Sequence, residues 1–431
     1  MNLLIKNGRV IDPAGKTDKK LDILVENGHI AKIASDIRNE ADFKVIDASG
    51  LIVCPGFIDI HTHLREPGLE QKETIDSGSR AAARGGFTSI ACMANTDPVN
   101  DNRSVTEFII ARARQVGLVN VFPIAAISLG LKGEKLVEME DLVRGGAVAF
   151  SDDGCCVMQA DLIRKALEYS KMLGVPIIEH PEDHTISAEG QVNEGFISYK
   201  YGLRGILNAA EEVIVARDII LQDRIRSKLH LTHISTAGAI ELIRKAKKDA
   251  IPLSVDVTPH HLLLNEECIT TYDPNFKVKP PLRTEKDRRA LLEAVIDGTV
   301  DCIASDHAPH TRDDKDKEFE YAPFGVIGLE TTFPILFDRL VRSSTISINR
   351  LVELLSSNPA RVLNLADRGR IKKGFPADLT IIDPEASFTI EVENFNSKAR
   401  NCPFQGWSGQ GDIAFTIAGG RLVYDRLAKR H

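Results

Sequence analysis

The chain has 431 residues, 43% hydrophobic, 27% charged and 6% aromatic, with 54 Lys+Arg against 61 Asp+Glu for a formal net charge of −7. This composition supports a sizeable buried core, and the acidic balance, with no basic tail or stripe, argues against a nucleic-acid partner. No apolar run approaches the ~18 residues of a membrane span, the N-terminal residues lack a secretory pattern, and seven scattered cysteines suit reduced thiols, so a cytoplasmic protein is expected.

The first 53 residues read as short strands, Leu3–Lys6, Val10–Ile11, Leu21–Val25, Ile30–Ile33 and Lys44–Ile46, with turns at Asn7-Gly8, Asp12-Pro13 and Asn27-Gly28. From 54 to 363 the rhythm changes. Short apolar strands recur at Phe57–Ile60, Thr88–Cys92, Val121–Ile127, Ala147–Phe150, Pro176–Glu179, Lys228–Thr232, Leu253–Val257 and Cys302–Ala304. Amphipathic helical patterns such as Asp161–Leu173 and Ala209–Leu221 lie between them. Eight such units predict a (β/α)8 TIM-like barrel with insertions. A doubly wound open sheet is the rival, but no Gly-rich phosphate loop follows Ile60. The charged stretch Thr311–Glu320 reads as a solvated loop, and 311–322 as a mobile lid. Strands return at Leu379–Ile382, Phe388–Ile390, Phe415–Ile417 and Leu422–Tyr424, so 1–53 and 364–431 are expected to meet as one β-sandwich-like domain.

Polar residues sit at the ends of the barrel strands, where such a fold keeps its active site. Strand one ends Asp59-Ile60-His61-Thr62-His63, and residues two apart on a strand share a face, so His61 and His63 can converge on one point. A lone His-x-His is weak evidence. Strand four adds Asp152-Asp153, strand five Glu179-His180, strand six Thr232-His233 and strand eight Ser305-Asp306-His307. Four histidines and two aspartates from five strand ends match a two-metal hydrolytic site, in which imidazoles and carboxylates hold the ions and one carboxylate bridges them. Either Asp153 or Asp152 can be that bridge. Arg65 offers a bidentate fork to a substrate carboxylate, with Asn95 and His310 as further polar contacts. His260 and His261 read as structural, Cys155 and Cys156 as small buried side chains, and His29, His184, His230 and His431 carry no functional signal.

The run Pro55-Gly56-Phe57-Ile58-Asp59-Ile60-His61-Thr62-His63-Leu64-Arg65-Glu66-Pro67-Gly68 resembles the opening motif of the cyclic amidohydrolases, and Ser305-Asp306-His307-Ala308-Pro309-His310 their second motif. Ala94-Asn95-Thr96-Asp97-Pro98, Pro280-Pro281-Leu282-Arg283 and Pro323-Phe324-Gly325 extend the similarity, Arg65 with Asn95 narrows it toward the dihydroorotases, and within that group the chain is most similar to the bacterial class I enzymes.

The resemblance implies reversible hydrolysis of L-dihydroorotate to N-carbamoyl-L-aspartate, in the synthesis of pyrimidines. It implies two zinc ions, one on His61, His63, Asp153 and Asp306 and one on Asp153, His180 and His233, with Asp153 favoured as the bridge. A hydroxide between them would attack the ring amide, Asp306 shuttling the proton. His63, Arg65, Asn95, Lys279, His310, Phe324 and Gly325 are the implied substrate contacts. Hydantoinases and allantoinases are similar in fold but bridge their metals with a carboxylated lysine. No lysine lies between Lys135 and Lys165 here. Two departures stand out: Lys279 replaces the usual asparagine before Pro-Pro-Leu-Arg, and Pro181 the usual cysteine after His180. A homo-oligomer and docking to aspartate carbamoyltransferase are further implications. The alternatives are a hydantoinase-like enzyme or a non-catalytic scaffold partner of that transcarbamoylase.

Overall fold

In the computed structural model, residues 2–39 and 43–430 are described; Met1, residues 40–42 of the expected terminal domain, and His431 lie outside them. Eight parallel strands form the central barrel: β6 (Phe57–Thr62), β7 (Phe87–Cys92), β8 (Asn120–Ala125), β9 (Ala149–Phe150), β10 (Ile177–Glu179), β11 (Leu229–Leu231), β12 (Leu253–Val257) and β13 (Cys302–Ile303). Each pairs with its sequence neighbour. The ring closes where Thr62 bridges His307 and the His63 N–H donates to the His307 carbonyl at 2.9 Å.

A helix follows each strand: α1 (Ile75–Arg84), α2 (Arg103–Val116), α3 (Met139–Gly145), α4 (Ala160–Leu173), α5 (Ala209–Ile225), α6 (Ala237–Lys248), α7 (Glu285–Asp297) and α8 (Thr332–Leu336). The helical period decides which side packs. In α4, Leu162, Ile163, Ala166, Leu167 and Ser170 are buried on one stripe, and Gly174 ends the helix in the left-handed conformation. The buried face of α5 carries the carboxylate of Glu211, which accepts the N–H groups of Ser235 and Thr236 and so pins the turn that follows β11.

Strands from both termini form a second sheet. β1 (Leu3–Asp12), β2 (Thr17–Glu26), β3 (His29–Ala34), β4 (Lys44–Asp47) and β5 (Ile52–Pro55) join β14 (Leu379–Thr389), β15 (Ser408–Ala418) and β16 (Arg421–Asp425). β5 pairs with both β1 and β14, tying the two ends of the chain together, and extends to Pro55, two residues past the expected boundary. Its own core includes Leu3, Ile5, Ile23, Val53, Leu379 and Ile417.

Three expectations need correction. Asn7-Gly8 is a bulge inside one long β1, with Asn7 at φ 65°, rather than a turn between two strands. A Cβ on Gly8 would stand 2.5 Å from Val53, so the close approach of β5 requires glycine there. Leu379–Ile382 and Phe388 likewise belong to one bulged strand, with Pro384 inside the irregularity. Finally, Thr311–Glu320 is solvated as expected at Arg312, Asp313, Asp316, Lys317, Glu318 and Glu320, but it is not wholly a loop and not wholly exposed. Thr311 caps a short helix, Arg312–Lys315, and Lys315, Phe319 and Ala322 are buried.

Candidate metal centre and active site

The six proposed ligands come from the C-terminal ends of β6, β9, β10, β11 and β13, and all are buried. Asp153 stands at their centre. Its Oδ2 lies 3.4 Å from Nε2 of both His61 and His63, while its Oδ1 lies 3.5 Å from His180 Nδ1 and 3.4 Å from His233 Nε2. Asp306 Oδ1 closes the first group, 3.4 Å from His61 Nε2 and 3.3 Å from His63 Nε2. Donor atoms held tetrahedrally at about 2.0–2.2 Å from one ion lie roughly 3.3–3.5 Å apart. Nearly all these separations fall in that range; His180 Nδ1 and His233 Nε2, at 2.9 Å, are closer.

The partners behind the rings decide which nitrogen faces inward. Thr232 gives its hydroxyl proton to Asp256 (2.7 Å), so it accepts from His61 Nδ1 (2.8 Å) and leaves the Nε2 lone pair free. That buried Nε2 has no hydrogen-bond partner of its own. His63 Nδ1 is committed to Asn95 Oδ1 at 2.9 Å, and His180 Nε2 to Glu182 Oε2 at 2.9 Å. In three of the four imidazoles the outer nitrogen is thus held by a partner and the other nitrogen is turned toward Asp153, where loss of its proton makes it the ligand a metal ion requires. The donor set fits a metal centre.

Electrostatics agree. Burial alone would depress His61 and His180, but Asp153 and Asp306 hold His61 up to about 10, and Asp153 and Glu182 hold His180 up to about 9. Burial opposes the ionisation of Asp153 and Asp306, yet the facing histidines keep both well below the usual carboxylate range. The cluster demands positive charge. His233 and Asp306 also adopt left-handed backbone (φ 39° and 47°), as does Arg65 (φ 63°); strain of about 1–3 kcal/mol at each is retained where side chains must be aimed.

A cavity of about 310 Å3 opens onto the cluster, and its wall includes Arg65, Asn95, Lys279, His310, Phe324 and Gly325. The Arg65 guanidinium donates from Nε to the Pro309 carbonyl at 3.2 Å and forms no ion pair with any described carboxylate. Burial lowers it to about 10, which leaves it charged at neutral pH. His310 donates from Nε2 to the Phe324 carbonyl (2.9 Å), and its Nδ1 lies 3.3 Å from Lys72 Nζ. Burial, Arg65 and Lys72 push it down to about 2, so it is neutral. Lys279 Nζ lies 3.0 Å from Glu182 Oε1 and so backs the carboxylate that orients His180. Gly325 has φ 122°, and a Cβ there would stand 2.8 Å from Ala308, so the cavity wall admits only glycine at this point.

Asp152 plays a different part from Asp153. Its carboxylate accepts the N–H groups of Ile127 (2.7 Å) and Ser128 (3.0 Å) and the Ser128 hydroxyl. His261 is bonded to Thr258 and to the Pro280 carbonyl; His260 is buried beside it. Cys156 donates to Glu179 and Cys155 is exposed. His230, which gave no signal, supports Asp256 with a 2.8 Å bond. The supporting groups Thr232, Asp256 and Glu182 were not singled out from the sequence. Asp256, the one charged residue of β12 and flanked there by Val255 and Val257, is the readable clue.

No helix among the described residues is long and apolar enough to cross a membrane. Residues 50–239 match the family model for dihydro-orotase-like proteins, and 293–424 that of the amidohydrolase family. The dihydroorotase of Geobacter metallireducens is 49% identical over 99% of this chain and 100% of its own length, and that of Pelotomaculum thermopropionicum 50% identical over the whole of both. Among solved structures, L-hydantoinase (dihydropyrimidinase) from Arthrobacter aurescens superposes with TM-score 0.89 at 25% identity, covering 98% of this chain and 96% of that one. Dihydropyrimidinase from Brevibacillus agri gives 0.86 at 26%, covering 99% and 95%. The β/α barrel with its β-rich terminal domain is therefore the shared amidohydrolase architecture, and the chain belongs to the dihydroorotase family.

Proposed function

We propose that this chain is a dihydroorotase, a hydrolase of cyclic amides that interconverts L-dihydroorotate and N-carbamoyl-L-aspartate in pyrimidine synthesis. One observation carries this: the cavity joins an Asp153-centred ligand cluster to a buried guanidinium, Arg65, that has no carboxylate of its own. Dihydroorotate offers the two matching parts, a cyclic amide and a carboxylate.

We assign one zinc ion to His61, His63, Asp153 and Asp306 and a second to Asp153, His180 and His233; bound there, zinc supplies Lewis acidity and lowers the pKa of water toward neutrality. The remaining steps belong to the chain. Arg65 grips the substrate carboxylate bidentately, and Asn95, its Oδ1 occupied by His63, donates from its amide nitrogen to the same group. Phe324 and Gly325 meet the ring with their backbone, held in place by the His310 bond to the Phe324 carbonyl. Lys279 flanks the ring from the opposite wall. Asp306, kept ionised by His61 and His63, takes a proton from the attacking water and returns it to the ring nitrogen as the C–N bond breaks.

We take 54–363 as the catalytic unit and 1–53 with 364–431 as the second domain. Seven free cysteines support a reducing cytoplasm. Assembly as a homo-oligomer and docking to aspartate carbamoyltransferase are supported by family membership, and sizing with and without that enzyme tests both. The decisive experiment is metal analysis with parallel assays on dihydroorotate and hydantoin. Turnover of dihydroorotate with two zinc ions per chain is expected; turnover of hydantoin alone would replace this assignment.

A further inference from the structure

Lys277 is almost fully buried, yet it forms no ion pair with a described carboxylate. Its Nζ instead donates to three carbonyls of one segment, Phe319 (2.7 Å), Glu320 (3.0 Å) and Ala322 (2.7 Å). An ammonium group has three N–H bonds, and this one uses all of them. The tie is returned. Lys315, inside that segment and also buried, donates to Pro274 (2.9 Å) on the Lys277 loop and to Pro323 (2.8 Å). The Gly325 N–H completes the clasp by donating to the Lys277 carbonyl at 2.9 Å. The aromatic ring of Phe324 lies with Lys277 Nζ 4.7 Å and Lys279 Nζ 5.5 Å from its centroid.

Burying an ammonium against neutral carbonyls is costly, and a segment needing only to be anchored would do so with apolar side chains. What the two lysines join is specific. One partner is the loop that ends in Lys279, the other the segment that ends in Phe324-Gly325, and both ends line the cavity. We infer that Lys277, with Lys315 as its counterpart, is a positioning residue that sets the distance between the Lys279 wall and the Phe324-Gly325 wall and so fixes the fit of the substrate ring. The inference rests on the cavity being the substrate site. The clasp touches none of the proposed metal ligands, so it acts on binding rather than on the chemical step.

The test uses the full-length zinc-loaded protein and the variants Lys277→Met and Lys277→Arg. With the two walls no longer held at a fixed distance the bound ring loses contacts, and the loss of about 1.4 kcal/mol of binding is tenfold, so KM for dihydroorotate is expected to rise at least about tenfold in Lys277→Met. Turnover at saturation should stay within about threefold and zinc content should be unchanged. Lys277→Arg, which keeps a cation but cannot aim three N–H bonds from one nitrogen, should fall between wild type and Lys277→Met. Hydrogen exchange supplies an arm that needs no substrate: the Gly325 amide and the 319–323 backbone should exchange faster in both variants. Faster exchange with an unchanged KM would overturn the positioning role, as would a KM that rises only together with loss of zinc. Unchanged exchange would show that the clasp does not hold the segment. A wild-type protein inactive on dihydroorotate would instead refute the substrate assignment and leave the exchange result standing. If Lys277→Met fails to fold, Lys277→Arg alone carries both readouts.

Discussion

Asp152 and Asp153 are consecutive, yet their carboxylates serve opposite neighbours. Asp152 is saturated by the backbone of Ile127 and Ser128, whereas Asp153 faces four histidines with two oxygens at 3.4–3.5 Å. Both lie past the end of β9, where the chain turns at Asp153, and that turn separates a structural acid from a ligand across a single peptide bond.

Exchanging each in turn should separate the two roles. Asp152→Ala strands two buried N–H groups and should cost about 2–4 kcal/mol of stability while leaving the metal in place. Asp153→Ala should instead remove metal from both positions, since one residue faces both sets of ligands. Elemental analysis beside denaturant unfolding reads the two effects; metal loss in Asp152→Ala with retention in Asp153→Ala would reverse the assignment.

Arg65→Met should remove a charge-assisted contact of about 1.5–3 kcal/mol, roughly 10- to 150-fold in kcat/KM for dihydroorotate, with metal content unchanged. Its buried guanidinium has no internal carboxylate to lose, so the fold should tolerate the change. A variant as efficient as wild type would move the anion contact elsewhere.

Much of this site was legible because strands have a period of two and a barrel gathers its strand ends at one face. His61, His63, His180, His233 and Asp306 each follow or end an apolar run, so local pattern alone places them together, whereas it leaves Asp152 and Asp153 as alternatives. What was not legible depends on distant partners. Glu182 orients His180 but looks like one more charge in a loop, and Thr232 matters through Asp256 on the next strand. The burial of Lys277 and Lys315 is illegible for a related reason. Six of the eight charges in 311–320 are solvated, as their density suggests, but backbone carbonyls, which carry no sequence signal, supply the acceptors that let Lys315, and Lys277 outside that stretch, be buried. The Asn7-Gly8 bulge is a similar case: those residues suit a hairpin turn, and only the approach of Val53 from β5 selects the bulge.

Asp306→Asn retains an oxygen near His61 and His63 but no base. Turnover should fall by about 10²–10⁴ while metal is largely kept. Near-normal turnover with full metal would place the proton transfer on another group.

His310 provides a pH test. The folded chain keeps it neutral down to about 2, because burial, Arg65 and Lys72 all disfavour its protonated form. In the unfolded chain it takes a proton near about 6.5. Acid therefore favours unfolding: the contribution is intact above that value and is lost progressively as pH falls below it, by up to about 1.4 kcal/mol per pH unit. Between pH 7.5 and 5.5, wild type should lose about 1.4 kcal/mol more in urea unfolding than His310→Gln, which has no proton to gain. Equal losses would mean that His310 titrates normally in the fold.

The bridge itself can be tested without mutation. A lysine becomes a bridging ligand only after reacting with carbon dioxide, so enzymes built that way need bicarbonate to regain their metals. Asp153 needs no such step, since its neighbours hold it ionised far below neutral pH. No lysine lies between Lys135 and Lys165 to compete, and Lys279, which does reach the cavity, is paired with Glu182 at 3.0 Å. Metal-stripped protein should therefore recover full activity on dihydroorotate with zinc alone, equally in buffer purged of bicarbonate and in buffer containing it. A strict bicarbonate requirement, or a mass increase of one carbamate on a lysine of the reconstituted protein, would show that Asp153 is not the bridge and would bring the hydantoinase mode of metal assembly back into consideration.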